Sequence, residues 1–169
     1  MSKISTRMVQ DSFGNYFLPE QIPLAFNSTL PNCYIFDIDG TLALRGDRSP
    51  YDWSKVERDI LDLQVSALYH NLQLVPNITI FIFSGRDEIS RELTQKWLLE
   101  KGVTNYKQLV LRPTGNMEKD SVVKEAMYRE ILENKFNVLG VIDDRPSVCR
   151  MWRSLGLKVF QVGDPDFEF

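Results

Sequence analysis

Tyr34-Ile35-Phe36-Asp37-Ile38-Asp39-Gly40-Thr41-Leu42 passes from an apolar, β-favouring run into two carboxylates and a glycine. The run reads as a buried strand, and Gly40 gives the chain a place to turn sharply after it. Two carboxylates placed close together at a strand end repel unless a cation neutralises them, and a hard divalent ion such as magnesium prefers oxygen ligands. The competing reading of this segment alone is structural, because an Asx-turn followed by a helix cap is common for Asp and Gly after a strand.

Outward from this segment, short apolar runs rich in β-branched and aromatic residues recur at 33–36, 78–83, 108–111, 138–142 and 158–162. Each is continuous, as expected of a strand buried on both faces. Between them lie helix-length segments with a longer period, for example Val56, Ile60, Leu63 and Ala67, then Leu93, Trp97 and Leu98. Alternation of this kind predicts an α/β domain: a Rossmann-like, doubly wound, mainly parallel sheet of about five strands with helices on both faces. Residues 1–31 hold Pro19, Pro23 and Pro31 and no sustained period, so they read as an irregular leader before a domain at 32–169. An insert at about 43–76 has room for a flap and one helix, which makes the cap minimal and the site open.

Ligands of open parallel sheets bind beyond the carboxyl ends of the strands, so those positions are where chemistry is expected. The second strand leads into Ser84-Gly85-Arg86, a hydroxyl, a flexible glycine and a cation before a helix starting near Asp87. Such a group suits a phosphoryl oxygen, although Ser-Gly before a helix also serves as a plain cap. The third strand leads to a helix beginning near Glu118, where Asp120 and Lys124 share a face beside Val122, Val123, Ala126 and Met127. The fourth ends in Asp143-Asp144-Arg145-Pro146, with the proline suited to the first turn of the next helix. Acids, a hydroxyl and a lysine on successive strand ends converge on one sheet edge.

Composition sets outer limits. The chain has 169 residues, 43% hydrophobic and 25% charged, with a net charge of -3. These values suit one soluble domain and leave no strongly basic nucleic-acid footprint, so a polyanion would be held by a local cluster of Arg and Lys. Cys33 and Cys149 lie far apart without metal-ligand spacing and read as buried thiols. No apolar leader and no run of about 18 apolar residues occurs, so the expected compartment is the cytoplasm, with no membrane contact.

The ordered set Asp37-x-Asp39-x-Thr41, Ser84, Lys124 and Asp143-Asp144 resembles the haloacid dehalogenase-like (HAD-like) phosphohydrolases. FDIDGTLA, RSPYD, SGRDE, KDSVVKE and IDDRPSVCRMWRSLGLKVFQV further resemble the 3′-phosphatase domains of bacteriophage polynucleotide kinase/phosphatases, over roughly residues 32–162. That resemblance implies removal of a 3′-phosphate from DNA or RNA ends in the host cytoplasm. It implies Asp37 as nucleophile and Asp39 as general acid and base. Ser84 and Lys124 would hold the phosphate, with Thr41 and Gly85 beside them and Asp120 orienting the lysine. Lys119 is the rival for that lysine role. Arg48 and Arg86 would contact the phosphate or the nucleic-acid backbone, and magnesium would be held by Asp37, Asp39 through its backbone carbonyl, Asp143 and Asp144. No phosphate loop of the kinase kind is present, so kinase activity is not expected.

Two other readings stand beside this one: a small-molecule or nucleotide phosphatase, and a catalytically silent binding module on the same fold. The retention of every acid counts against the second. No obligate protein partner is evident, and an oligomer is compatible with the sequence. His70 reads as a surface residue, Trp97 and Trp152 as packed in the core, and Trp53 as the better candidate for stacking on a base.

Overall fold

The five apolar runs all become strands of one sheet. The computed structural model describes residues 26–49 and 52–166, and the backbone of two short strands before them. These are β1 (Val9–Gln10) and β2 (Tyr16–Phe17), paired antiparallel, so the leader expected to be irregular contains a short ribbon; the rest of it up to residue 25 lies outside the described residues. Then come β3 (Asn32–Phe36), β4 (Ala43–Leu44), β5 (Ile60–Leu61), β6 (Ile78–Asp87), β7 (Gln108–Arg112), β8 (Asn137–Asp143) and β9 (Val159–Gln161). The α-helices are α1 (Leu63–Gln73), α2 (Arg91–Glu100), α3 (Asp120–Ile131) and α4 (Pro146–Ser154).

The main sheet has the order β7-β6-β3-β8-β9, and every pairing in it is parallel. Alternation along the strands divides the core in two. Cys33, Ile35, Phe81, Phe83 and Val141 face Val123, Met127, Tyr128 and Trp152 of α3 and α4. Phe36, Ile80, Ile82 and Ile142 face Tyr69, Trp97 and Leu98 of α1 and α2. The chain winds from β3 out to β7, then crosses to β8 and β9 on the other side. The direction of winding therefore reverses between β3 and β8, and the crevice there, beyond the carboxyl ends, is where such folds bind ligands. Phe36 is in register with Ile142, so Asp37 and Asp143 leave adjacent strands side by side.

The insert departs from its expected helical period. Val56, Ile60, Leu63 and Ala67 are split among a 3-10 helix at Trp53–Arg58, strand β5 and helix α1. Asp59 is extended and ends the first element; Asp62 starts α1 by accepting the backbone N–H groups of Gln64 and Val65 at 2.9 and 3.0 Å. Only Val56 of the four is buried, and β5 pairs antiparallel with β4 to form a small ribbon. Two helix starts also move. A 3-10 turn capped by Asp87 precedes α2, which begins at Arg91, and α3 begins at Asp120. Val122 and Ala126 are exposed, leaving Val123, Met127 and Tyr128 on the buried side of α3. Pro146 occupies the first turn of α4 as expected. Cys33 and Cys149 are free and buried. Among the described residues no helix is long and apolar enough to cross a membrane.

Phe81 sits 5.0 Å from the Phe136 ring and 6.4 Å from the Phe83 ring, edge to face with both. Replacing Phe81 with Ala should lower the free energy of unfolding by about 3–5 kcal/mol, read from urea denaturation.

Candidate active site

The crevice between β3 and β8 gathers carboxylates around one buried lysine. The Asp37 backbone N–H donates to the Ile142 carbonyl at 2.9 Å, which fixes the start of the loop after β3. Lys124, reaching in from α3 and 1% exposed, donates to Asp37 Oδ1 at 2.7 Å and Asp143 Oδ2 at 3.0 Å. Its Nζ also lies 3.6 Å from Asp120 Oδ2. Asp143 is held further by Trp152 Nε1 at 3.2 Å and the Arg145 backbone N–H at 3.3 Å. The Thr41 hydroxyl donates to Asp144 Oδ1 at 3.4 Å. Gly40 has φ +87°, and a Cβ there would stand 2.0 Å from Asp144 Oδ2. Glycine is thus needed both for the turn and for the close approach.

Crowding shifts these groups. Burial, then the neighbouring Asp143, Asp144 and Asp120, push the Asp37 carboxyl well above its ordinary range against the pull of Lys124. Asp144 is pushed up to about 6, first by burial and then by Asp143. Burial works against the charged Lys124, yet Asp143, Asp37 and Asp120 hold its value well above normal. Asp37, Asp143 and Asp144 each offer a carboxylate oxygen within 4.8 Å of the others. Three carboxylates balanced by one ammonium leave net negative charge in a buried site, and an all-oxygen donor set suits a hard divalent cation.

Asp39, two residues on, has the opposite surroundings. Arg86 donates to both of its oxygens at 2.8 Å, and Arg48 donates to Oδ1 at 2.9 Å. The same two guanidiniums bind Asp59, through Arg48 at 2.8 and 2.6 Å and Arg86 at 2.7 Å. Trp97 Nε1 donates to the Asp59 carbonyl at 2.9 Å. Burial would raise the Asp39 carboxyl, but Arg86 and Arg48 outweigh it and hold the group below its usual value. Asp39 retains 24% side-chain exposure, so this carboxylate borders solvent.

The structure thus brings Asp37, Thr41, Lys124, Asp120, Asp143 and Asp144 together. Ser84 is buried, and its hydroxyl accepts the Arg86 backbone N–H at 3.3 Å. Gly85 sits against Asp120, where a Cβ would stand 2.3 Å from Oδ1. Lys119 is exposed at the start of α3, whereas Lys124 reaches Asp37. Arg48 and Arg86 do not present free guanidiniums to an anion as the sequence suggested. Their side chains are 2% and 0% exposed, because both are paired with the buried Asp59 and with Asp39 at the border of solvent. Asp59 was not singled out in the sequence, nor was Arg112, which donates to the Gly85 carbonyl at 2.9 Å and Asp120 Oδ1 at 3.1 Å. Arg112 stands at a strand end, a signal that was available; Asp59 lies in the insert and carries none. His70 is exposed, Trp97 and Trp152 are buried, and Trp53 is half-buried with the Arg48 guanidinium 5.8 Å from its ring centre.

Comparison with known proteins follows the same lines. The family model for the polynucleotide kinase PNKP phosphatase domain matches residues 31–167. A protein of Autographa californica nuclear polyhedrosis virus named for a bifunctional polynucleotide kinase/RNA ligase is 36% identical over 143 residues, 82% of this chain but 20% of that protein. A chain in the Pnkp1/Rnl/Hen1 RNA repair complex superposes with a TM-score of 0.79 at 30% identity, covering 98% of this chain and 48% of that one. The chain therefore spans less than half the length of either relative. The HAD domain of the effector Lem4 from Legionella pneumophila, at 15% identity and a TM-score of 0.51 over 82% of this chain and 89% of that one, shares the fold.

Asp59→Asn removes the charge on which two buried guanidiniums converge. The variant should lose about 3–5 kcal/mol of stability in denaturant unfolding.

Proposed function

Since this chain belongs to the polynucleotide kinase PNKP phosphatase-domain family and is a phosphatase, we propose that it removes the 3′-phosphate from DNA or RNA ends with magnesium as cofactor. The observation that carries the chemistry is the Asp37 carboxylate at the β3–β8 crevice, 2.7 Å from a buried lysine and grouped with Asp143 and Asp144. The names of the polynucleotide-processing relatives support the nucleic-acid substrate. So does the small size of the insert, whose described residues form a two-stranded ribbon, a 3-10 helix and α1 and no separate cap domain.

In this reading an Asp37 oxygen attacks phosphorus in line, and the bond to the 3′-oxygen breaks as Asp39 gives that oxygen a proton. Asp39, now a carboxylate, takes a proton from water, which attacks the same phosphorus. The aspartyl-phosphate bond breaks, inorganic phosphate leaves and Asp37 is restored. Lys124 and the Ser84 hydroxyl hold phosphoryl oxygens, Thr41 positions Asp144, and Asp120 with Arg112 orients Lys124 beside Gly85. Magnesium, held by Asp37, Asp143, Asp144 and the Asp39 backbone carbonyl, would supply positive charge that offsets the crowding, keeps Asp37 ionised and neutralises the phosphoryl group. Asp39 rests ionised between its arginines, and the negative charge of an entering phosphate raises its carboxyl so that it takes up the proton it later donates. Arg48 and Arg86 act on the phosphate through Asp39.

A panel of 3′-phosphorylated DNA, 3′-phosphorylated RNA and mononucleotides, assayed with magnesium, tests the substrate. Phosphate release should be fastest from the oligonucleotide ends and fall to background in Asp37→Asn. Preference for mononucleotides would remove the nucleic-acid part of the reading, and full activity in Asp37→Asn would remove the covalent part. A second expectation follows from Asp144. Its folded-state value of about 6 lies above the ordinary 3.8, so the folded protein keeps a proton that the unfolded chain has lost between these values. Without magnesium, stability should therefore fall as pH rises through that window, and added magnesium should raise the melting temperature more at about pH 7 than at about pH 4.

A further inference from the structure

Three tryptophans occur in the chain, and two of them, Trp97 and Trp152, are packed in the core at 1% and 0% exposure. Trp53 is half-buried at the start of the 3-10 helix of the insert, and the phosphoryl chemistry leaves it without a task. Its place is set by an arginine that holds the general acid. The Arg48 guanidinium lies over the indole, 5.8 Å from the ring centre, and donates to Asp39 Oδ1 at 2.9 Å. One guanidinium therefore spans from the ring to the carboxylate. Arg48 is enclosed, at 2% exposure, while the ring beside it still meets solvent.

The segment that carries the ring is fixed at both ends. Asp52 caps the 3-10 helix, accepting from the Ser54 hydroxyl at 2.6 Å and pairing with Lys55 at 2.7 Å. Asp59 ends it and accepts from Arg48 and Arg86 at 2.6 and 2.7 Å. Val56, between the two, is buried. A rigid ring on a segment held in this way loses little freedom when a ligand settles on it.

We propose that Trp53 stacks on the base of the 3′-terminal nucleotide and so selects a nucleic-acid end over other phosphomonoesters, an inference that rests on the 3′-end reading above. In-line displacement puts the leaving 3′-oxygen on the side of phosphorus opposite Asp37. The nucleoside then extends away from the Lys124 cluster, toward Asp39 and the insert. The oxygen that Asp39 protonates and the base are carried by the same ribose. With that oxygen at Asp39, the base stands one sugar ring away, and the indole stands one guanidinium away. Every base has a π-face, so the contact reads no sequence and serves DNA and RNA ends alike.

The test compares a 3′-phosphorylated oligonucleotide with the same strand whose last sugar carries hydrogen in place of its base. In the wild type the base-free end should have a kcat/KM about 5- to 150-fold lower. In Trp53→Ala that ratio should fall to near one, and Trp53→Phe should restore most of it. A ring that only supports Arg48 would lower turnover of both strands together in Trp53→Ala and leave the ratio unchanged, which would overturn the proposal. A second readout needs no turnover. In Asp37→Asn, binding of the 3′-phosphorylated strand should quench tryptophan fluorescence, and the quench should be absent when Trp53→Phe is added; a quench that persists would also overturn it. Equal release from both strands by the wild type would remove the stacking and keep the 3′-end reading. Release from neither strand, with mononucleotides turned over, would remove both.

Discussion

The ammonium of Lys124, buried among the carboxylates of Asp37, Asp143 and Asp120, is the interaction on which the site depends. Each acid comes from a different part of the chain: the end of β3, the end of β8 and the first turn of α3. They meet because a parallel sheet delivers the carboxyl ends of neighbouring strands to one edge, and because the winding reverses between β3 and β8. Isolated, any of these charges would be costly to bury. Together with Asp144 they form a site that still carries excess negative charge, which explains both the raised carboxyls and the fit to a hard cation.

Two acids separated by one residue acquire opposite character from this arrangement. Asp37 faces the crowded crevice, where burial and carboxylates push its value up. Asp39 faces the insert side, where Arg86 and Arg48 bring it down. Environments that drive paired titratable groups apart are how one fold assigns different proton roles to like side chains. Asp59 and Trp97 extend the Asp39 side into the core: Asp59 joins the two guanidiniums from beneath, and Trp97 fixes the Asp59 backbone. The catalytic reading thus depends on two separate charge clusters, one built around a lysine and the other around two arginines.

Much of this was legible in the sequence, for identifiable reasons. Strands buried on both faces are continuous apolar runs, so all five core strands lay where those runs indicated, and the acids, serine and lysine after them fell near the ends. The insert was not legible, because the spacing of Val56, Ile60, Leu63 and Ala67 imitates a helix that the extended Asp59 interrupts. The same residue was overlooked as a functional group, since an isolated acid between Arg58 and Ile60 carries no local pattern. Its role appears only once Arg48 and Arg86, which the resemblance placed against the phosphate or the nucleic-acid backbone, are seen to bind Asp39 and Asp59. Local sequence shows that a cation is present; the fold decides which anion it meets.

Phosphorus stereochemistry tests the proposed covalent route most directly. A DNA or RNA 3′ end bearing a phosphorothioate made chiral with two oxygen isotopes, turned over in water of the third, should release inorganic thiophosphate with net retention of configuration, since attack by Asp37 and then by water inverts the centre twice. Net inversion would mean that water displaces the 3′-oxygen in a single step, and would contradict the assignment of Asp37 as nucleophile.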